Sequence, residues 1–269
     1  MRLALIALAL AATSARAELA SQIPGLDIVT LDRLPPAPAD RGNAAYCSHL
    51  ASQPETAAGR AVQAQGWTVT GEAPFGTLTA VSFVGSLLQG TSGTCLRRDG
   101  NVGFFAGDQL TALIYARNAE ELPIGFIAPF ADSGLRLWSG DYLPEPLADI
   151  QPTAGGITVV SLAATEPVCH GTAEVPLIYG LPMDVARKRL AEAGWQPVPF
   201  QGDRSESMGL DAEIAARGVP EVDVCSGTGF GFCGYAYAGP AGSLAVTTMG
   251  EFGEDGSFPI VADYGVDCR

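Results

Sequence analysis

The chain has 269 residues, 47% of them hydrophobic, with 29 acidic side chains against 15 Lys and Arg, a formal net charge of −14. That balance supplies no cationic footprint for nucleic acid or anionic lipid and argues against both as partners. With 33 glycines and 19 prolines the chain reads as globular, cut into short elements, and long enough for two modest domains.

Residues 1–17, MRLALIALALAATSARA, have the pattern of a secretion signal. Arg2 is the charged start, Leu3 to Ala12 the apolar run, and Ala15-Arg16-Ala17 a small-x-small cleavage site. The run is too short to span a bilayer. Cleavage after Ala17 predicts a periplasmic or secreted protein that begins at Glu18, soluble and with no membrane span. Loss of Arg2 and Arg16 leaves 13 basic against 29 acidic side chains, with Lys188 the single lysine.

Residues 18–45 lack sustained periodicity, end in PPAPAD, and read as an extended N-terminal arm. A β-rich domain is expected over 46–165. It opens on a short helix, PETAAGRAVQAQ (54–65), with Pro54 and Glu55 in its first turn and Gly66 just past its end. Strand-like runs follow at 67–72, 78–85, 102–105, 110–116, 124–130, 135–140 and 157–163, parted by glycine, proline and Asn/Asp. Many short strands with frequent turns predict an antiparallel sheet or sandwich. The segment LPEPLADIQPTAGG (143–156) reads as a loop or an inter-strand crossing.

Residues 166–269 form the second expected domain. Pro182 fits a first helical position. Val185, Ala186, Leu190 and Ala193 share one face, and Arg187, Lys188 and Glu192 mark the solvated one. Gly194 ends the helix in the left-handed conformation and Trp195 packs back on the core. The pattern Val175-Pro176…Gly180…Ala186…Leu190…Ala193-Gly194 resembles the opening of a PASTA repeat, an extracellular strand–helix–sheet module of some bacterial kinases and penicillin-binding proteins. The resemblance covers about a tenth of the chain and implies non-catalytic contact with cell-wall material. The fold class expected for the whole is α+β: a β-rich antiparallel N-terminal domain with one short helix, and a small disulfide-bridged, PASTA-like strand–helix–hairpin C-terminal domain. An internal echo also stands out, because Ala58, Val62, Gly66 and Trp67 repeat the spacing of Ala186, Leu190, Gly194 and Trp195; an old duplication and the shared grammar of any helix ending at glycine both account for it.

Six cysteines in an exported chain read as disulfides, and six allow fifteen pairings. Cys225 and Cys233 flank one turn, and Cys47 and Cys95 are the pair in the N-terminal half, which leaves Cys169 with Cys268. Cys169–Cys225 with Cys233–Cys268 is the alternative. A zinc site is not indicated: there is no C-x-x-C, and His49 and His170, beside Cys47 and Cys169, lack tetrahedral-site spacing. No metal and no cofactor are expected.

The run CSGTGFGFC (225–233) invites comparison with a phosphate-binding loop. Such a loop must open a helix, yet the residues after it, GYAYAGPAGSLAVTT, read as strand, turn and strand. It is expected to be a hairpin tip in which glycines supply positive φ. The acidic runs 202–214 and 253–263 do not fit a calcium loop, since counting from Asp203 puts Met208 and Ile214 where glycine and glutamate are required. Residues around Asp255-Gly256 read as a solvated turn.

No catalytic residue is assigned. There is no G-x-S-x-G elbow, His49 and His170 have no partner in view, and Glu72, Asp108, Asp141 and Asp149 cannot be ranked among so many carboxylates. Of the aromatics Trp67, Trp138, Tyr142, Trp195, Tyr235 and Tyr237, those that begin strands read as core. Trp138 and Tyr142, near the proline-rich segment, remain the candidate ligand-binding pair. The function that follows is a non-catalytic envelope module that binds a protein partner or peptidoglycan. An envelope hydrolase with an acidic or His49/His170 site, and an acidic inhibitor of a cationic enzyme, are the alternatives.

Overall fold

The computed structural model describes residues 18–203, 209–227 and 229–269; the expected secretion signal lies outside them. The N-terminal half contains β1 (Glu18–Ser21), β2 (Leu26–Thr30), α1 (Ala57–Ala64), β3 (Thr68–Phe75), β4 (Leu78–Val84), β5 (Ser86–Gln89), β6 (Cys95–Arg98), β7 (Asn101–Ala106), β8 (Gln109–Ala116), β9 (Ile124–Phe130), β10 (Gly134–Ser139), β11 (Pro146–Thr153) and β12 (Gly156–Val160). The remainder is β13 (Thr165–Val168), β14 (Ala173–Pro176), α2 (Met183–Glu192), β15 (Gln196–Pro197), α3 (Leu210–Ala216), β16 (Val222–Cys225), β17 (Cys233–Gly239), β18 (Gly242–Met249) and β19 (Ile260–Cys268).

Two five-stranded sheets, ordered β1-β12-β11-β10-β9 and β2-β8-β7-β4-β3, share one core. Phe75, Val102, Phe104 and Ile114 from one sheet pack against Ile127, Leu135, Leu137, Ile150 and Val159 from the other. The arrangement is a β-sandwich. Along one side it is sewn by side chains: Thr70 donates its hydroxyl to the Gly125 carbonyl at 2.8 Å, and the Ile127 N–H donates to Ser82 Oγ at 3.2 Å. Helix α1 covers the outer face of the second sheet, where Ala58 and Val62 meet Trp67, Val81 and Phe83. Strand β4 is therefore covered on both faces, which is why its sequence alternates so loosely.

Three sequence expectations change here. The expected N-terminal arm is in part sheet: β1 pairs in parallel with β12, and β2 pairs antiparallel with β8. The segment 143–156 is mostly strand β11, in the interior of its sheet. Its prolines are tolerated because Pro146 is its first residue and Pro152 its next to last. Helix α1 begins at Ala57 rather than in the Pro54-Glu55 turn, because the Thr56 hydroxyl accepts the Gly59 N–H at 3.0 Å and caps it.

The C-terminal core is a single sheet ordered β15-β17-β18-β19, with β16 paired to β17, whose buried face meets α2 and α3. Its strands alternate cleanly: in β18, Leu244 and Val246 are buried while Ser243 and Ala245 are exposed. The buried stripe of α2 is Met183, Ala186 and Leu190; Val185 is only half-buried and Ala193 is exposed. Arg187, on the solvated side, is only half-buried. Its Nε reaches Glu221, whose side chain is fully buried, at 2.5 Å, and the Tyr237 hydroxyl donates to the same carboxylate at 2.8 Å.

Three disulfides join Cys47 to Cys95, Cys169 to Cys268 and Cys225 to Cys233. Cys225 and Cys233 face each other across the β16–β17 pair, so the glycine run between them is a hairpin tip, with Gly229 and Gly231 at positive φ. Among the described residues, no helix is long and apolar enough to cross a membrane.

Candidate functional site

The two sequence candidates stand at the boundary between the cores, but only one lines a groove. Trp138 of β10 lies directly opposite Phe126 of β9, and their rings stack at 5.7 Å with planes 4° apart. Cross-strand pairing explains that contact. From the second core, Tyr179 meets Trp138 edge-on at 5.3 Å and packs on Tyr264 at 4.5 Å. On the Phe126 ring lies the Arg97 guanidinium, 4.9 Å from the centroid, and burial lowers its pKa. An unbroken run of rings thus leads from a cation in the N-terminal half to the last strand of the chain.

Beside this run is a groove of about 500 Å³ with Phe126, Ala128, Trp138, Leu143 and Pro144 on one side and Phe232, Thr247, Ala262 and Asp263 on the other. Its lining is apolar apart from Thr247 and Asp263. Tyr142 stands next to the groove rather than in it, 45% exposed and stacked on Phe230 at 5.3 Å with a 24° tilt. Phe230 also touches Phe232, at 5.6 Å. The tip of the cystine-closed glycine hairpin therefore carries two aromatic rings across to the N-terminal half.

A buried ion network fixes the boundary. Arg136, 2% exposed, forms a bidentate pair with Asp149 at 2.8 and 3.2 Å and reaches Glu166 at 3.0 Å. Its guanidinium lies 3.8 Å from the Phe130 ring centroid. Burial opposes the charge on Arg136, and the hydrogen bonds and charge of Asp149 with the charge of Glu166 more than offset this, so its pKa is raised. Tyr264 donates its hydroxyl to Glu166 at 2.9 Å; burial first, and then that carboxylate, push its pKa up. Burial and the nearby Asp263 do the same to Tyr179. Two buried nitrogens without a hydrogen-bond partner among the described residues, Trp138 Nε1 and Arg97 Nε, belong to the two side chains packed on Phe126.

The carboxylates left unranked by the sequence serve separate ends. Glu72 caps α1, Asp141 pairs with Arg98 at 3.2 Å, Asp149 holds Arg136, and Asp108 sits in the β7–β8 turn. His49 and His170 are both exposed, His170 in a left-handed turn with φ 57°. Among the described residues, no group of three or more His, Cys, Asp or Glu is placed to hold a metal. The sequence reading missed Arg97, Phe126, Arg136, Tyr179, Phe232 and Tyr264. One signal was available: Arg136 is a lone charge inside the apolar strand run LRLW. Tyr179, Phe232 and Tyr264 gave none, because their contacts join segments far apart in the chain, whereas Phe126 faces Trp138 across the β9–β10 pair.

Comparison of the chain with protein-family models, with curated proteins and with solved structures finds no match in any of the three.

Proposed function

We propose that this protein is a non-catalytic, disulfide-stapled binding module of the cell envelope, divided near residue 165, and that the groove beside Trp138 receives an apolar or aromatic side chain from a protein partner. The observation that carries this reading is the groove itself, an apolar slot framed by aromatic rings from both halves of the chain. Sugar rings need a dense set of hydrogen-bonding groups around the stacking surface, whereas this lining offers Thr247 and Asp263. Apolar side chains need only shape and dryness. Asp263 at the rim and the net charge of −14 favour a cationic residue next to the anchoring side chain. Envelope placement rests on the signal-like residues 1–17, the three disulfides and the PASTA-like run at 175–200.

The test is selection of displayed peptides on the processed chain. Enriched peptides should carry an aromatic or aliphatic anchor beside Lys or Arg, and lose binding when the groove is filled by Ala262→Arg. Retention on peptidoglycan sacculi, or peptide binding indifferent to Ala262→Arg, would overturn the protein-partner reading.

A further inference from the structure

At the far end of the sandwich from Trp138, residues of both sheets line a second cavity, of about 620 Å³. The cause is local. Three of the hairpins at this end, β3–β4, β7–β8 and β11–β12, turn through two residues each, Gly76-Thr77, Gly107-Asp108 and Ala154-Gly155. Turns this tight leave no chain to fold over the core. Of the longer connections, 85–100, 117–123 and 140–145 fall at the opposite end, while 31–56 leaves β2 at this end and turns onto the outer face of its sheet, where Leu34 packs with Trp67. The mouth is thus bare where the core is otherwise closed.

Its floor belongs to the sandwich core. Phe75, Ala112 and Ile157 of that core line it, with Leu110 from the cluster under α1, and each is 2–3% exposed. Around the rim, Thr30, Thr77, Gln109 and Thr153 offer hydrogen-bonding groups, and Asp32 is the one charged residue among the lining side chains. An apolar well with a few convergent polar groups at its lip, within the volume range of small-molecule sites, is the usual form of a ligand pocket at the mouth of a closed β-structure.

We propose that this end of the sandwich binds a small amphiphile, with an apolar chain or ring in the well and a cationic, hydrogen-bond-donating head, such as an amine, against Asp32. A carboxylate head would meet Asp32 with no cation among the lining residues to offset it. The site is separate from the Trp138 groove, and either can fail without the other.

The test uses the processed chain with the neutral fluorophore N-phenyl-1-naphthylamine, displaced by straight-chain amines, alcohols and carboxylates of matched length. Each added methylene should tighten an amine about fourfold until the well is full. The amine should outcompete the alcohol about two- to fivefold, the size of an exposed charge contact, and Asp32→Asn should erase that preference while leaving the alcohol unchanged. Narrowing the mouth with Thr77→Trp and Thr153→Trp should weaken the probe on the order of tenfold, and Ala262→Arg should leave it unaltered. Absence of saturable binding, a preference for the carboxylate, undiminished affinity in the narrowed variant, or loss of binding in Ala262→Arg would each overturn the proposal. Unchanged circular dichroism of every variant keeps a folding defect from imitating the result.

Discussion

The same local grammar is used twice in this chain, and to different ends. In α1 and in α2 a fully buried alanine is followed four residues on by a buried aliphatic, Ala58 and Val62 in one case, Ala186 and Leu190 in the other. Each helix ends at a glycine in the left-handed region, Gly66 at φ 85° and Gly194 at φ 88°. Each glycine precedes a buried tryptophan whose indole donates to a backbone carbonyl at 2.8 Å, Pro35 for Trp67 and Glu174 for Trp195. The spacing alone left both duplication and coincidence of helix grammar open, and these matched contacts do not decide between them. What differs is the setting. Trp67 belongs to a satellite cluster on a sandwich that has its own core, whereas Trp195 is fully buried in the main core cluster of its region. Its ring lies against Gly239, where an added Cβ would come within 2.2 Å of the indole. A motif that decorates one region is the keystone of the other.

That contrast predicts unequal damage. Trp195→Ala should cost about 3–5 kcal/mol, the usual range for a large aromatic removed from a full core, and should strip amide protection from α2 and β17–β19 together. Trp67→Ala should cost less, since the ring is 8% exposed and α1 can settle into the space. Its loss should leave the amides of β9–β12 protected. Hydrogen exchange on both variants measures this, and equal losses spread over the whole chain would remove the distinction.

The cross-links sharpen the same comparison. Cys169–Cys268 closes 99 residues of sequence and ties the start of the C-terminal region to its last strand, while Cys47–Cys95 closes 48 and rests on a small cluster with Val84 and Leu87. Replacing Cys169 and Cys268 with alanine should cost about 2–4 kcal/mol, the common yield of a native bridge. The Cys47 and Cys95 double variant should cost less, because the sandwich core does not depend on that cluster. Under reductant, limited proteolysis should cut within 169–269 before it cuts within 57–160. Cuts in the reverse order would show that the sandwich is the weaker region.

How much of this the sequence revealed follows from the same physics. Strands β8, β9 and β10 were placed to within a residue at each end, since glycine and Asp/Ser turns bound them. Strand β11 was lost to its prolines, which sit where a strand can absorb them. Strand β1 was lost because its partner, β12, lies more than a hundred residues away and pairs in parallel, leaving no hairpin signal. Helix α3, LDAEIAA, buries only Ile214 and so shows no apolar stripe. At the candidate site, Trp138 was legible as an aromatic near a boundary and Phe126 faces it across the β9–β10 pair, but Tyr179 beside the groove and Phe232 in it are joined to Trp138 only through the packing of the two cores.

The smallest expected effect concerns how the two helices are held electrostatically. The first turn of α1 is capped from β3. The Glu72 carboxylate accepts the N–H of Glu55 at 2.6 Å, the N–H of Thr56 at 3.3 Å and the Thr56 hydroxyl. Burial pushes the Glu72 carboxyl up, and these hydrogen bonds more than reverse that, so its pKa is lowered. A carboxyl with a depressed folded pKa contributes stability that is present above its ordinary value of 4.5 and is lost as pH falls through the folded one. Helix α2 has no such side-chain cap at Pro182; it is tied through Arg187 to Glu221. Glu72→Gln should therefore cost about 1 kcal/mol near neutral pH, in line with a lost cap. The difference from the unaltered chain should narrow as pH drops below about 4, because acid removes the same charge. Denaturant unfolding at several pH values, followed through Trp67 fluorescence with Trp138 and Trp195 replaced by Phe, reads the effect at α1. A gap between the two proteins that stays constant into acid would mean that neutral hydrogen bonds, rather than the charge on Glu72, hold the helix in place.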